Sequence, residues 1–582
     1  MSGPYVPPLP AIRRALSQTF AKGDLSAYPG FEHARVDEIM EIVGEFGSFC
    51  AEVLAPLNQQ GDEIGARHDP ATGEVTMPPG WKEAYAKYIE AGWGTVSFGA
   101  EEGGGNFPWV VTVAMQEILN SANMSFSLCP LLTQGAVDAI STHGSEEQKA
   151  TYLPNLVTGQ WSGTMNLTEP QAGSDVGALT SRAVPADDGT WRITGQKIFI
   201  TYGEHDMSEN IIHLVLARTP GAAAGTRGIS LFIVPKFLVG PDGKLGDRNS
   251  VRCTGIEKKM GIHASPTCSL AFEDATGFLL GAEGAGMRAM FTMMNNARLS
   301  VGVQGLGIAE RAYQAAAYHA RERVQGRTGV SPAGPDQPII EHPDIRAALL
   351  TIRSQVEAMR GLTYLNGWAI DTARAATTPE ERQHGRELAD LLTPLSKAWS
   401  TDLGSELSRI ATQIHGGMGF IRETGVEQYE RDVRITSIYE GTNGIQAIDL
   451  VTRKVPIRDG AVVFELIESM VKLAGDLSGR LDDFRAQFED ALDALRDGTE
   501  WLLAHRDDQL TVLAAATPYL RLMSTVVGGY LLAEQARVAE PVSVPFVDAQ
   551  FYGTHVLPQA RALLTAVKAS PAPLFALEAS TF

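Results

Sequence analysis

Cysteine is scarce in this chain: it occurs four times among 582 residues, and no two cysteines form a Cys-x-x-Cys pair. The four are Cys50, Cys129, Cys253 and Cys268. This usage excludes a disulfide framework and a thiolate zinc site, so we expect no bound metal and a reducing, cytoplasmic compartment. The segment Met1 to Pro10 lacks the charged and apolar blocks of a signal peptide, which favours the same location.

Basic residues are outnumbered by acidic ones, 48 to 68, so the net charge is −20 and the isoelectric point is near 5.1. A nucleic acid or an anionic membrane surface needs clustered Lys and Arg, and we expect neither as a partner. No apolar run reaches the ~18 to 20 residues of a membrane span, so no span is predicted. A local basic pocket for a phosphorylated ligand stays compatible with this composition.

A Rossmann nicotinamide site is also missing. Such a site needs Gly-x-Gly-x-x-Gly between a strand and a helix, and the glycines from Gly281 to Gly286 have the wrong order. The run Gly103-Gly104-Gly105 follows no strand and is interpreted as a turn. The chain is therefore not expected to use a nicotinamide cofactor in this way.

What the chain does have is the composition of an ordinary globular protein, with 44% hydrophobic and 20% charged residues. At roughly 150 residues per domain, it should contain about three to five domains. We predict a multidomain α+β fold. Its parts are an arm (1–35), an N-terminal helical domain (36–162), a central antiparallel β domain (163–282), a C-terminal helical bundle (283–456) and an additional helical domain (457–582).

Hydrophobic periodicity supports this division. One helix face is predicted from Ile39, Val43, Phe46, Cys50 and Val53, with Pro56 closing the run. Short β-branched runs bounded by turn residues predict the strands Trp191–Thr201, Ile211–Ala217, Ile229–Val234 and Thr267–Phe272. Apolar stripes at helical spacing predict long helices around Ile345–Met359 and Leu388–Ile410. A Gly- and Pro-rich loop at Gln325–Pro343 and a linker at Ile457–Gly460 separate helical parts.

One short stretch, Ser437 to Gln446, places Glu440 between an aromatic residue and a glycine. A carboxylate that loses water there gains a raised pKa and becomes a stronger base for a carbon-bound proton. The alternative interpretation is a helix end with an exposed glutamate. The stretch alone does not decide between them.

Several separate motifs resemble the acyl-CoA dehydrogenase family, in the order in which that family carries them. Leu167-Thr168-Glu169-Pro170-Gln171-Ala172-Gly173-Ser174-Asp175 is similar to its first signature. Gln413-Ile414-His415-Gly416-Gly417-Met418-Gly419-Phe420 with Arg431-Asp432 is similar to its second, and Tyr439-Glu440-Gly441-Thr442 to its catalytic segment. Glu322-Arg323-Val324-Gln325-Gly326 resembles its flavin-pyrophosphate segment. The resemblance covers roughly residues 36 to 456 and includes the fold predicted above.

The resemblance implies an FAD enzyme that desaturates an acyl-CoA thioester to the trans-2-enoyl-CoA. Glu440 would take the α-proton, the flavin N5 atom would take the β-hydride, and an electron-transferring flavoprotein would receive the electrons. Some relatives carry the base beside Arg298 instead, but the matching residue here is Ala297, which cannot act as a base. His415 is interpreted as a packed loop residue, and Asp432 as structural and paired with a nearby arginine.

The same resemblance implies roles for further residues. The residues expected to bind FAD are Met165, Leu167, Thr168, Ser174, Phe199, Thr201, Arg323, Gln413, Gly416, Gly417 and Thr442. Those expected to bind substrate are Ser174, Arg298, Tyr439 and Gly441. The alternatives are ordinary strand-end and turn roles for Thr168 and Ser174, a surface ion pair for Arg298, and a helix cap for Gly416 and Gly417.

The loop after Arg323 and the additional helical domain resemble the long subgroup of the family. It includes broad-range fatty acyl-CoA and 3-methylmercaptopropionyl-CoA dehydrogenases. A homodimer that shares its FAD sites near the subunit interface is therefore expected. The acyl group itself is not predicted. An acyl-CoA oxidase on the same fold, or a catalytically silent acyl-CoA or flavin binding protein, stay as alternatives.

Overall fold

The computed structural model describes residues 3–240, 242–327 and 335–582. Helices dominate both ends of the chain, and strands dominate its centre. The helices before the sheet are α1 (Leu9–Phe20), α2 (Val36–Phe49), α3 (Ala55–Ile64), α4 (Trp81–Glu90), α5 (Trp109–His143) and α6 (Glu146–Thr158). The multidomain α+β class with a central sheet is confirmed.

The strands follow in a compact central stretch. A small pair, β1 (Arg67–His68) and β2 (Val75–Thr76), precedes them. The others are β3 (Trp161–Asn166), β4 (Arg182–Pro185), β5 (Trp191–Thr201), β6 (Asn210–Arg218), β7 (Ile229–Pro235), β8 (Phe237–Val239), β9 (Leu245–Arg248), β10 (Val251–Ile256) and β11 (Thr267–Leu280).

The second helical series begins after the sheet. It comprises α7 (Gly286–Glu322), α8 (Pro343–Ala375), α9 (Pro379–Ile414), α10 (Val426–Val433), α11 (Asn443–Asp449), α12 (Ala461–Asp476), α13 (Asp482–Ala504), α14 (Gln509–Val538), α15 (Val544–His555) and α16 (Gln559–Val567). Part of the predicted loop Gln325–Pro343 lies outside the described residues.

Two compact units emerge from the contacts. One comprises Met1–Gly44, Pro108–Ser121 and Val301–Phe582, and the other comprises Glu45–Phe107 and Ala122–Ser300. We call them the helical unit and the sheet unit. The predicted N-terminal arm contains α1, which packs against α8 and α14 within the helical unit.

The sheet unit is built on seven strands among the described residues, in the order β10-β11-β5-β4-β6-β3, with β7 pairing both β11 and β6. Pairing is antiparallel except where β6 meets β3 and, at one residue pair, β4. Strand β6 is buried on both faces: Ile212, Leu214 and Leu216 join one apolar cluster, and Val215 and Ala217 join the other. This double burial places the sheet centrally in its unit.

One helix-boundary expectation is wrong. Pro56 does not end the first helical run, because a π-helical turn at Cys50–Leu54 leads directly into α3, which carries Pro56 in its first turn. The wider turn shifts the buried face by one residue, so Leu54 is buried and Val53 only partly. A proline in a first turn loses no helical hydrogen bond, which explains why the chain continues.

The helical unit contains the additional C-terminal helices as well as the bundle. Helix α14 packs against α8, α9 and α11, so the additional helices are in contact with the bundle. The predicted linker is a tight turn whose Arg458 has φ +48° and forms ion pairs with Glu387 (2.9 Å) and Glu465 (2.7 Å). These pairs tie the turn to helices on both sides of it.

Helix α14 is an exception to the expectation that no apolar stretch is long enough for a membrane span. By length and composition it is long and apolar enough to cross a membrane. Within the structure, 67% of its most apolar window is buried by other parts of the protein. Buried core helices of globular proteins share this composition.

Candidate active site

The segment around Glu440 leads into helix α11 in the helical unit. Glu440 has φ +55° and the following Gly441 has φ +82°, so two successive residues are left-handed. The φ of Gly441 favours glycine because L side chains rarely adopt it, and a Cβ there would also lie 2.8 Å from Gln446 Nε2. Glu440 is partly buried and lies before a helix, so the interpretation as an exposed helix end does not apply.

The neighbours of Glu440 are held by side-chain contacts. The Tyr439 hydroxyl donates to Gln304 Oε1 on α7, and burial raises the pKa of Tyr439 so that it stays a neutral donor. Thr442 Oγ1 accepts a hydrogen bond of 3.3 Å from Ile445 N and caps α11. A left-handed non-glycine residue costs of order 1 to 3 kcal/mol and persists where its surroundings determine it.

A second group of predicted residues meets at one edge of the sheet. Met165 lies on β3, Leu167 and Thr168 follow that strand, and Ile198 N on β5 donates to Thr168 O at 2.9 Å. A β-bulge lets Ile198 and Phe199 stand opposite one residue of β11. Phe199 has φ +59° and its side chain is 58% exposed, because the bulge turns it away from the core.

This edge fits a flavin. Thr168 and Thr201 are partly buried, and neither hydroxyl has a hydrogen-bond partner among the described residues. The exposed ring of Phe199 offers an aromatic face beside them. Unused hydroxyl donors next to an aromatic ring are what a planar heteroaromatic ligand with ring nitrogens and oxygens requires.

An ion pair that the sequence did not reveal supports the same edge. Lys197 and Glu169 are both buried, and Lys197 Nζ lies 2.8 Å from Glu169 Oε1 and 2.9 Å from Leu167 O. Burial alone would raise the pKa of Glu169, but the Lys197 charge and hydrogen bonds from Thr180 and Ser181 hold it at about 2. Burial lowers the pKa of Lys197 to about 8 against the pull of Glu169. The only sequence signal was a lysine within a strand pattern.

A third group lies at the ends of α7 and α9 in the helical unit. His319 on α7 stacks on His415 after α9, with ring centroids 4.4 Å apart, and this brings the Arg323 segment beside the second signature. Arg323 and Gln413 are exposed, as are Gly416 and Gly417. Burial lowers the pKa of His415 to about 4, so it is neutral, which agrees with a packed residue.

The remaining predicted residues are distributed as follows. Ser174 is exposed in a loop of the sheet unit, and Arg298 is partly buried on α7 in that unit, next to the buried Ala297. Asp432 accepts a 3.0 Å hydrogen bond from Gln428. The structure thus brings the predicted residues into local groups: Met165, Leu167, Thr168, Phe199 and Thr201 in the sheet unit, and the Glu440 and Arg323 groups in the helical unit.

Four family models match the chain in sequence. The acyl-CoA dehydrogenase N-terminal, middle and C-terminal domain models match residues 37–160, 164–275 and 284–455. A model described as acetyl-CoA dehydrogenase C-terminal like matches residues 463–578. The matches therefore extend through the additional helices.

Individual relatives agree. The chain is 45% identical to a 3-methylmercaptopropionyl-CoA dehydrogenase from Ruegeria pomeroyi over 558 residues, 94% of this chain and 93% of the relative. It is 36% identical to a butyryl-CoA dehydrogenase from Syntrophomonas wolfei over 90% of this chain and 88% of the relative. A solved acyl-CoA dehydrogenase complexed with FAD from Bacillus anthracis shares the fold with a TM-score of 0.72 at 22% identity, covering 91% of this chain and 88% of that one. The chain belongs to the acyl-CoA dehydrogenase family of FAD-dependent oxidoreductases, as a long member with an additional C-terminal helical domain.

Proposed function

We propose that this protein oxidises a short acyl-CoA to the trans-2-enoyl-CoA and passes the electrons to an electron-transferring flavoprotein. The observation that carries the proposal is Glu440: a partly buried carboxylate on a left-handed backbone, followed by a glycine whose own φ of +82° disfavours any residue with a Cβ. Such a side chain has the shielding and fixed position that a base for a carbon acid requires.

The reaction removes one proton and one hydride from adjacent carbons. Glu440 accepts the α-proton, and negative charge develops on the thioester oxygen as that bond breaks. A backbone N–H at this turn would donate to that oxygen and stabilise its charge. When bound, FAD supplies the acceptor for the hydride that leaves the β-carbon.

Residues of this chain would hold the cofactor in two places. Thr168, Phe199 and Thr201 would contact the flavin ring, through the two unpartnered hydroxyls and the exposed aromatic face. Arg323 would bind the pyrophosphate, since a guanidinium matches two phosphate oxygens. The exposed surface of Arg323, Gln413 and Gly416 supports sharing of FAD across a homodimer, which light scattering of the FAD-loaded protein would test against a monomer.

The substrate proposal rests on the relatives. One acts on 3-methylmercaptopropionyl-CoA and another on butyryl-CoA, both of which carry short acyl chains. We place 3-(methylthio)propionyl-CoA first, because identity to that relative is highest of these two and extends over nearly the whole chain. Butyryl-CoA is the second candidate.

The test is an anaerobic titration of the purified FAD-loaded protein with 3-(methylthio)propionyl-, butyryl-, branched and long acyl-CoAs. We expect the visible flavin band to bleach, fastest with the first of these. Reoxidation by an electron-transferring flavoprotein, and not by oxygen, supports a dehydrogenase. Rapid turnover with oxygen and release of peroxide would identify an oxidase. Bound FAD that no acyl-CoA bleaches would indicate a binding protein and overturn the proposal.

A further inference from the structure

We propose that Lys397, Asn443 and Gln304 form a clamp that positions the Glu440 carboxylate for proton abstraction. The inference rests on the proposed function and assigns three positioning residues to it. All three lie in the helical unit, on α9, at the start of α11 and on α7 respectively.

Asn443 fixes the chain three residues after Glu440. Its Nδ2 group donates to Ala398 O (3.1 Å), Thr401 Oγ1 (3.0 Å) and Asp402 Oδ1 (2.7 Å), all on α9. Its Oδ1 atom accepts from Lys397 Nζ at 2.9 Å. Both the nitrogen and the oxygen of the Asn443 amide thus bond to one stretch of α9. These bonds fix the start of α11 against α9.

Lys397 is an unusual partner because its side chain is completely buried. A buried ammonium group is costly and stays only where hydrogen bonds hold it. The helices are also close at this point: a Cβ at Gly302 on α7 would lie 2.4 Å from Ser396 O on α9. A Cβ at Gly305 would lie 2.4 Å from Ser400 O. The part of α9 that carries Lys397 therefore packs directly against the backbone of α7.

Gln304 fixes the residue immediately before Glu440. It is completely buried, lies between Gly302 and Gly305, and accepts the hydrogen bond from the Tyr439 hydroxyl. The base is consequently held from one side by α7 through Tyr439 and from the other by α9 through Asn443. These two attachments are what the left-handed backbone at Glu440 needs in order to persist.

The expected consequence of losing an attachment is a misplaced base. A displacement of a reacting group by about 1 Å can reduce the reaction rate about 100-fold. We expect Asn443→Ala and Lys397→Met to reduce kcat about 10- to 100-fold while KM changes less than about 3-fold, because neither residue binds the substrate.

A second readout isolates the proton step. An acyl-CoA with sulfur in place of the β-carbon has α-hydrogens but no β-hydride, so it reports deprotonation alone. Exchange of its α-hydrogens with D₂O should slow in both variants in parallel with kcat. Equal exchange rates and kcat in FAD-loaded variant and wild-type proteins would overturn the clamp.

Matched variants separate positioning from general loss of packing. Asn366 is a completely buried amide that donates to Ser396 Oγ at 3.1 Å and joins α8 to α9. Asn366→Ala should lower stability without slowing α-hydrogen exchange. Gln304→Leu should slow exchange, and Gln304→Glu, which keeps an acceptor for Tyr439, should restore most of it.

Failure of the clamp differs from failure of the proposed function. If wild-type protein neither bleaches with any acyl-CoA nor exchanges α-hydrogens, the proposed function is wrong. If wild type does both and the Asn443, Lys397 and Gln304 variants match it, only the clamp is wrong. Should Asn443→Ala not bind FAD, the Gln304 pair decides the question.

Discussion

Glu440 is a residue whose proposed role depends on its charge and not on its shape. Glu440→Gln keeps the volume but cannot accept a proton, so we expect FAD and acyl-CoA binding to survive while bleaching slows by about 10²- to 10⁴-fold. The measurement is single-turnover bleaching, with acyl-CoA affinity followed separately. A rate near that of wild type would place the base on another residue.

Phe199 is the exposed aromatic residue at the flavin edge, and its prediction concerns the cofactor. Phe199→Ala removes a face on which the flavin ring would pack, which is worth about 1.4 kcal/mol or a tenfold weaker FAD affinity. The check is FAD titration of apoprotein. Phe575→Ala is the control, because Phe575 is 67% exposed near the chain end and should leave FAD affinity unchanged.

The buried ion pair between Lys197 and Glu169 joins strand β5 to the segment after β3. Lys197→Met leaves the Glu169 carboxylate buried without its cation, which should cost about 3 to 5 kcal/mol of stability. The double variant with Glu169→Gln should recover most of that loss. Equal stability of the two variants in denaturant unfolding would contradict this account.

The Lys197–Glu169 pair also makes the stability of the fold depend on pH. The pKa of folded Glu169 is about 2, below its usual 4.5. The ionised carboxylate therefore stabilises the fold above pH 4.5, and this contribution is lost as pH falls from 4.5 through 2. Thermal unfolding across that range should show a smaller pH dependence in the double variant than in wild type.

Elements with a regular period were predictable from the sequence. Strand β5 was predicted with the bounds observed, since the segment from Trp191 to Thr201 is rich in β-branched and aromatic residues and lies between turn residues. The bulge at Phe199 was not, because it depends on pairing with β11, which spacing does not show. The π-helical turn before Pro56 was not predicted either. The pairing of Lys197 with Glu169 likewise arises only when two separated segments meet.

Some site residues were also predictable from the sequence, and others were not. The motifs around Thr168 and Glu440 were recognised by resemblance, and their roles stay predictions. His319 and Lys397 were missed, because a lone histidine or lysine on a helical stripe resembles an ordinary helix residue. Their partners, His415 and Asn443, lie 96 and 46 residues away along the chain.

In the whole molecule, the additional C-terminal helices are packed into the helical unit together with the bundle. Helix α14 packs against α8, α9 and α11, and α11 is the helix that follows Glu440. The additional helices therefore pack on the helix that follows the proposed base. We infer that they complete the core of the helical unit and that the bundle depends on them.

Deletion of residues 457–582 is thus expected to yield insoluble or FAD-free protein, because it uncovers the apolar faces of α8, α9 and α11. Deletion of residues 571–582 is the control: Leu574, Phe575, Leu577 and Phe582 are all exposed, and we expect FAD content and bleaching rate to match wild type. Gel filtration and FAD absorbance compare the two. A soluble, FAD-loaded and active 1–456 fragment would show that the additional helices are dispensable, and the packing of α14 on α11 would then have no part in holding the base.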